Sequence, residues 1–303
     1  LSGSTIIHLP FGEPKDVIRP SDRQGDLDDL ATPSGLSTPA VVDALTGNGR
    51  RCGDGKGMAG KLYPVPHFVY DLRTQQSWED LIGISPDHLL LCDGTADPMP
   101  DQIGSLDVSE VGSPLREQPT GWPNRVCVES VDGGTADYFE KNGASEMDFD
   151  ASMSFAFAGY GILTGSPGGS RDVLGFNAAS TPRWRFQIAP VSGNFMFRGH
   201  DGAVTWLAQV AVAPTVGRVY PFLAWMDRAS AVAGMRNPLD VSTDSISSVG
   251  TMDTGGTGRF RLMRSASASG PFKMIALAIW SGSKAEGMDT ETIINTLDEN
   301  IAA

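Results

Sequence analysis

The sequence predicts an all-β protein, a sandwich of short strands preceded by an irregular arm and closed by one short helix. Three observations carry this. The 303 residues include 36 glycines and 20 prolines, which favours many turns, while 13 Phe and 6 Trp supply the bulk for a core. Between residues 125 and 280, segments rich in β-formers follow one another at short spacing. Within them, apolar and polar residues alternate with period two. Trp184, Phe186 and Ile188 share one face, and Arg183, Arg185 and Gln187 the other. A one-residue slip would turn each set inside out, so register is well specified.

Residues 1–60 lack sustained periodicity, and Pro10, Pro14, Pro20, Pro33 and Pro39 break any long helix. Only 39–45 suits a turn or two of helix, with Thr38 as its cap. Residues 47–60 hold six glycines interspersed with Arg50, Arg51 and Lys56. This stretch reads as an extended arm suited to lying on a neighbour, with the sandwich following over 61–303. Residues 62–72 suit an edge or extended strand, given Pro64 and Pro66. Residues 78–84 suit a short helix or turn, and 88–92 a strand ending at Asp93-Gly94. Leu106, Val108 and Val111 mark a weak strand. The stronger strands are expected over 125–131, 136–140, 145–148, 153–159, 173–177, 183–189, 194–200, 203–212, 219–227, 258–263 and 273–280. Ile293, Ile294, Leu297 and Ile301 then recur at helical spacing over 290–300. Asp289 and Glu291 stand at the start of that helix, where its dipole favours them.

Composition excludes several function classes. A net charge of −13 and the absence of a long basic run argue against a nucleic-acid groove. No apolar stretch is long enough for a transmembrane helix, and no basic start followed by an apolar run marks a secretory signal. Cys52, Cys92 and Cys127 are few and far apart, which fits buried thiols better than a disulfide framework or zinc site. In the glycine run, Gly55-Lys56 is followed by Gly57, so the hydroxyl a phosphate-binding loop needs for magnesium is missing. His8, His67, His88 and His200 are scattered and suggest no triad or zinc cluster. No cofactor, metal or catalytic residue is assigned.

Two segments carry a resemblance. Residues 126–140 (VCVESVDGGTADYFE) read as strand, turn and strand. Residues 270–282 (GPFKMIALAIWSG) and 288–297 (MDTETIINTL) read as a loop, a buried strand and a closing helix. Together with 106–114 (LDVSEVGSP) and Gly258–Met263, they resemble the concanavalin A-like jelly roll in its laminin G or pentraxin-like form, as found in tailed-phage virion proteins. The resemblance covers about 85–303 and is best over 106–303. In it, 258–263 and 270–280 correspond to the last strand pair. One departure concerns residues 219–227, where the hairpin glycine expected next is missing.

The resemblance implies a virion structural protein, first a capsid decoration or cement protein and second a tail component, assembled in the host cytoplasm. Its partners would be the major capsid protein or tail proteins and copies of itself. A carbohydrate-binding lectin or adhesin module that docks on cell-surface glycans is the alternative. A glycosidase is the third reading, because Glu146, Asp148 and Asp150 alternate on an expected strand much as a carboxylate set does in retaining glycosidases of this fold. Those hold nucleophile and acid about 5 Å apart, and the shorter Asp150 disturbs that spacing. Residues 132–137 offer oxygens for calcium, although Asp-Gly turns also form for conformational reasons. Trp184, Trp206, Tyr220 and Trp225 lie in expected strands and are read as core.

Overall fold

The alternation resolves into two facing antiparallel sheets in a computed structural model. The residues described are 72, 74–92, 96–117, 127–130, 133, 136–178, 181–190, 192–264 and 269–301. The arm expected over 1–60 and the strand at 62–72, Leu72 aside, lie outside them.

Fifteen strands occur among the described residues: β1 (His88–Leu91), β2 (Ser109–Val111), β3 (Leu115–Glu117), β4 (Cys127–Ser130), β5 (Tyr138–Asn142), β6 (Phe155–Leu163), β7 (Arg171–Ala178), β8 (Thr181–Ile188), β9 (Phe195–His200), β10 (Thr205–Gln209), β11 (Val219–Asp227), β12 (Val232–Asn237), β13 (Asp240–Ser245), β14 (Arg259–Leu262) and β15 (Phe272–Ser281). Helix α1 spans Gln75–Ile82 and α2 spans Thr290–Glu299. One sheet of eight strands runs β13-β12-β11-β6-β15-β4-β3, with β1 also paired to β15. The other, of seven, runs β10-β9-β8-β7-β14-β5-β2.

The opening and closing segments meet. β4 pairs with β15 in the first sheet and β5 with β14 in the second, so both segments cross the sandwich at the same place. β14 and β15 therefore belong to different sheets and do not pair with each other as a hairpin. Neither do β4 and β5.

Aromatic rings from both sheets fill the space between them. Phe155, Phe157 and Phe222 come from the eight-stranded sheet, and Phe176, Trp184, Phe186, Phe197 and Phe260 from the seven-stranded one. All are fully buried. Gly161 makes room for this layer, because a Cβ there would overlap the Phe272 ring.

The outer side of the eight-stranded sheet is covered as well. Trp78 of α1 lies 6.2 Å from Tyr160 and 6.0 Å from Trp280, ring centre to ring centre. The Trp78 and Trp280 indoles donate to the carbonyls of Leu72 and Ile84, each at 3.0 Å. Buried in α2, Ile293, Ile294 and Leu297 form its apolar face, and the Tyr160 hydroxyl donates to the Leu297 carbonyl at 2.9 Å. Asp289 caps α2 by accepting from the Thr292 N–H. Thr74 caps α1 in the same way. The sequence placed α2 correctly and α1 three residues late.

Further expectations fail. Residues 145–148 are not a strand; Ser145–Met147 form a single 3-10 turn. β3, β12 and β13 have no counterpart among the expected strands. β13 (DVSTDS) has no apolar periodicity because it is an edge strand whose polar side chains work across the sandwich rim. Asp240, Ser242 and Asp244 accept from the backbone N–H groups of Ala211, Gln209 and Leu207 at 2.5, 3.1 and 2.8 Å. The free edge of β10 is thereby occupied and the two sheets are tied together. The missing hairpin glycine is explained too. Residues 228–231 turn β11 into β12 with Ala231 at φ 56°, and Asp227 accepts from the Ala229 and Ser230 N–H groups. A propped alanine takes the left-handed position that glycine usually holds.

Candidate functional site

The carboxylates at 146–150 do not converge. The Glu146 Oε1 accepts from Lys141 Nζ and from the Ser105 hydroxyl, both at 2.6 Å. Burial pushes its carboxyl up, but Lys141 and Ser105 outweigh that and hold it below the usual range. A general acid requires the opposite shift. Asp148 accepts from the Thr254 and Gly256 N–H groups at 2.8 and 2.6 Å and from the Thr254 hydroxyl at 2.5 Å, pinning that loop. Exposed Asp150 accepts from Ser152 N–H and hydroxyl, both at 2.7 Å, which lowers its carboxyl. Glu146 ties the end of β5 to the segment around Ser105, Asp148 pins the 254–256 loop and Asp150 closes its own turn. Replacing Glu146 with Gln keeps the acceptor for Ser105 and loses only the ion pair. The expected cost is about 1 kcal/mol or less, checked by thermal unfolding.

Of the proposed calcium loop, Asp137 accepts from the Ser113 N–H at 2.8 Å, and Asp132 lies outside the described residues. Among the described residues no group of three or more His, Cys, Asp or Glu side chains is placed to hold a metal. No described helix is long and apolar enough to cross a membrane. Cys92 is buried, while Cys52 and the Cys127 side chain lie outside the described residues. So do His8 and His67. His88 is buried against Asp101. Trp184, Trp206, Tyr220 and Trp225 are buried, as expected.

The outer face of the seven-stranded sheet differs from everything above. No described helix or strand packs on it, and its side chains are mostly polar, with Met196, Leu207 and Val111 among the apolar exceptions. By register, β8 contributes Arg183, Arg185 and Gln187, and β9 contributes Met196, Arg198 and His200. β7 adds Asp172, Gly175 and Asn177, and β14 adds Arg259 and Arg261. β5 closes the far side with Tyr138 and Glu140.

The floor of this face is buried although it points away from the core. Asp172 is 0% exposed, and Gln187 and Asn177 are each 1% exposed. The Gln187 amide donates to Asp172 Oδ1 at 2.5 Å, and an Arg185 guanidinium nitrogen lies 3.6 Å from the same oxygen. Arg261 Nε donates to Glu140 Oε2 at 2.6 Å and its guanidinium stacks over Tyr138, 5.1 Å from the ring centre. Arg183 donates to the Asp201 carbonyl at 2.8 Å. Burial lowers the Arg185 guanidinium from its usual value, with Asp172 opposing and Arg198 adding to the shift. His200 is lowered by burial and by the Arg183 and Arg185 charges, and its Nδ1 accepts from the Gly202 N–H.

The residues of this face were legible singly. Arg183, Arg185 and Gln187 stand out as the polar side of their strand. Their gathering was not, because the basic residues sit at period two on separate strands (RWRFQ, FMFRGH, RFRL) and form no contiguous basic run.

No family model and no curated protein matches the sequence. Among solved structures, the chain is similar to the binding domain of Paraclostridial Mosquitocidal Protein 1, at 9% identity, over 72% of this chain and 53% of that one, with a TM-score of 0.53. This chain is a β-sandwich of the jelly-roll type. It is similar in the same way to the botulinum neurotoxin serotype G binding domain, at 9% identity, over 71% and 51% of the two chains, with a TM-score of 0.51. A looser likeness is to domain 4 of a GH43 extracellular arabinanase from Geobacillus stearothermophilus in complex with arabinotriose, at 9% identity, over 70% and 97%, with a TM-score of 0.46. The chain spans about half the length of the two toxin domains that it matches. At such identities the likeness concerns the fold alone.

Proposed function

We propose that this sandwich is a carbohydrate-recognition module and that the outer face of its seven-stranded sheet is the binding surface. The observation that carries the reading is a sheet face on which no described helix or strand packs, whose buried floor is made of Asp172, Gln187 and Asn177 and whose rim is made of arginines. A sugar presents rings of hydroxyls that both donate and accept. Planar amide, carboxylate and guanidinium groups held in place by their neighbours match that pattern at little ordering cost. The fold supplies rigid strands to hold them. Two of the solved structures with this fold are described as binding domains, which agrees with the reading without fixing it.

The module is read as binding without turnover, since Glu146, Asp148 and Asp150 are each engaged in separate structural bonds, to Lys141 and Ser105, to the 254–256 loop and to Ser152. The virion assignment rests on the sequence resemblance at 106–114 and gains no support from the described fold or the similar structures.

The test is a glycan array followed by amide and arginine side-chain NMR on the labelled chain. Binding to at least one glycan is expected, with shifts on β7, β8, β9 and β14. Shifts confined to the turns at the sandwich ends would move the site elsewhere, and no binding across the array would overturn the function.

A further inference from the structure

We propose that this face selects acidic sugars: the cross-strand pair Arg185 and Arg198, flanked by Arg183, receives a carboxylate or sulfate group of the bound glycan. The inference rests on the carbohydrate-recognition reading and deepens it.

Three observations carry it. The first is register. Arg185 on β8 lies directly opposite Arg198 on β9, with both side chains on the outer face. Like charges directly opposed on a sheet are destabilising. A chain with 36 acidic and 23 basic residues had acids in plenty to place there.

The second is the lack of compensation. Among the described residues no carboxylate pairs with Arg198. The one carboxylate beside Arg185 is Asp172, whose Oδ1 already accepts the Gln187 amide at 2.5 Å and lies 3.6 Å from Arg185. On the other side of the sheet, Arg261 is matched by Glu140 at 2.6 Å. Positive charge is therefore balanced toward β5 and left unbalanced over β8 and β9.

The third is a set of unused polar atoms beside the pair. Gln187 Oε1 and Arg183 Nε are buried and make no hydrogen bond. Unmet groups of this kind in a folded protein cost stability and call for an explanation, and a bound ligand supplies one. The guanidinium fork matches the two oxygens of a carboxylate or sulfate, and such charge-assisted pairs are the stronger class of hydrogen bond. A neutral sugar offers the arginines no charge to balance.

The experiment uses the full chain and calorimetric titration with polygalacturonate for carboxylates, heparin for sulfates, dextran as the neutral glycan, and single-stranded DNA as a polyanion without this chemistry. Tight, salt-sensitive binding to one or both acidic glycans is expected, and which one binds identifies the acidic group. Arg198→Gln should weaken it by about ten- to a hundredfold. Arg198→Lys, which keeps the charge without the fork, should fall between. Because Arg198 has no carboxylate partner among the described residues and faces a like charge, thermal unfolding of Arg198→Lys should match the parent and that of Arg198→Gln should match or slightly exceed it. Should Arg198→Gln not fold, Arg198→Lys alone must still show the loss. Equal binding to dextran, or acidic binding unchanged in both variants, overturns this inference and leaves carbohydrate recognition standing. DNA bound as tightly as the acidic glycans overturns it as unspecific electrostatics. No binding to polygalacturonate, heparin or dextran overturns this inference, and the glycan array then decides the carbohydrate reading separately.

Discussion

Trp184→Ala is expected to lower stability by about 3–5 kcal/mol, read as a shift in the urea unfolding midpoint. Trp184 is fully buried at the centre of the aromatic layer. Its ring lies 5.3 Å from Phe155, 5.6 Å from Phe157, 6.2 Å from Phe149 and 6.3 Å from both Phe176 and Phe260. These partners come from both sheets and from the 145–153 connection, so truncation empties the joint that holds the layers together. Each lost aromatic pair adds roughly 0.5–1.5 kcal/mol to the loss of buried area. Domains of this kind are stable by only about 5–15 kcal/mol, so a large share of the total is at risk. Trp184→Phe should cost clearly less. The Trp184 indole N–H is buried without a hydrogen-bond partner, and phenylalanine removes that unmet donor while keeping a ring. If alanine and phenylalanine cost the same, ring packing is not what Trp184 contributes.

Trp184 also shows what the sequence could reveal. Strands with one wet and one dry face betray themselves by alternation, and β8, β9 and β14 are legible for that reason. The nearly continuous apolar runs of β6, β11 and β15 are legible as well, since these strands lie between a core and a covering layer. β13 escapes because its side chains serve as hydrogen-bond acceptors for another strand, a role with no apolar signature. The 145–150 carboxylates mislead for the complementary reason. Period-two acids look like a strand face, but Met147 and Phe149 are buried from an irregular connection while the acids bond three separate neighbouring segments. The candidate site is the least legible part. It exists only once strands distant in sequence are set side by side, and that ordering follows from sheet topology.

Asp101→Asn should destabilise the protein by about 2–3 kcal/mol at neutral pH and flatten the acid side of its stability curve. Asp101 Oδ1 accepts from the Leu89 and Ile103 N–H groups at 3.0 and 3.1 Å. Its Oδ2 accepts from the Leu106 N–H at 2.9 Å and from His88 Nδ1 at 2.6 Å. The surroundings fit closely, since a Cβ at Gly104 would stand 2.5 Å from His88 Nδ1 and 2.8 Å from Asp101 Oδ2. An asparagine amide must turn its NH2 toward at least one of these donors, leaving donor against donor in a buried place. Burial raises the Asp101 carboxyl, yet the bonds from His88 and the backbone outweigh it and hold the group well below the usual carboxylate range. The sign follows. With the folded pKa below the unfolded one, the stabilisation is fully present above the unfolded value of about 3.9 and is lost as pH falls toward the folded value. Parent and variant curves should therefore differ most near neutrality and converge below about pH 4. Other carboxylates, Asp87 and Asp227 among them, are also lowered, so both proteins keep some acid sensitivity and the difference curve isolates Asp101. A constant gap from pH 7 to pH 2 would mean that Asp101 acts through packing rather than through its charge.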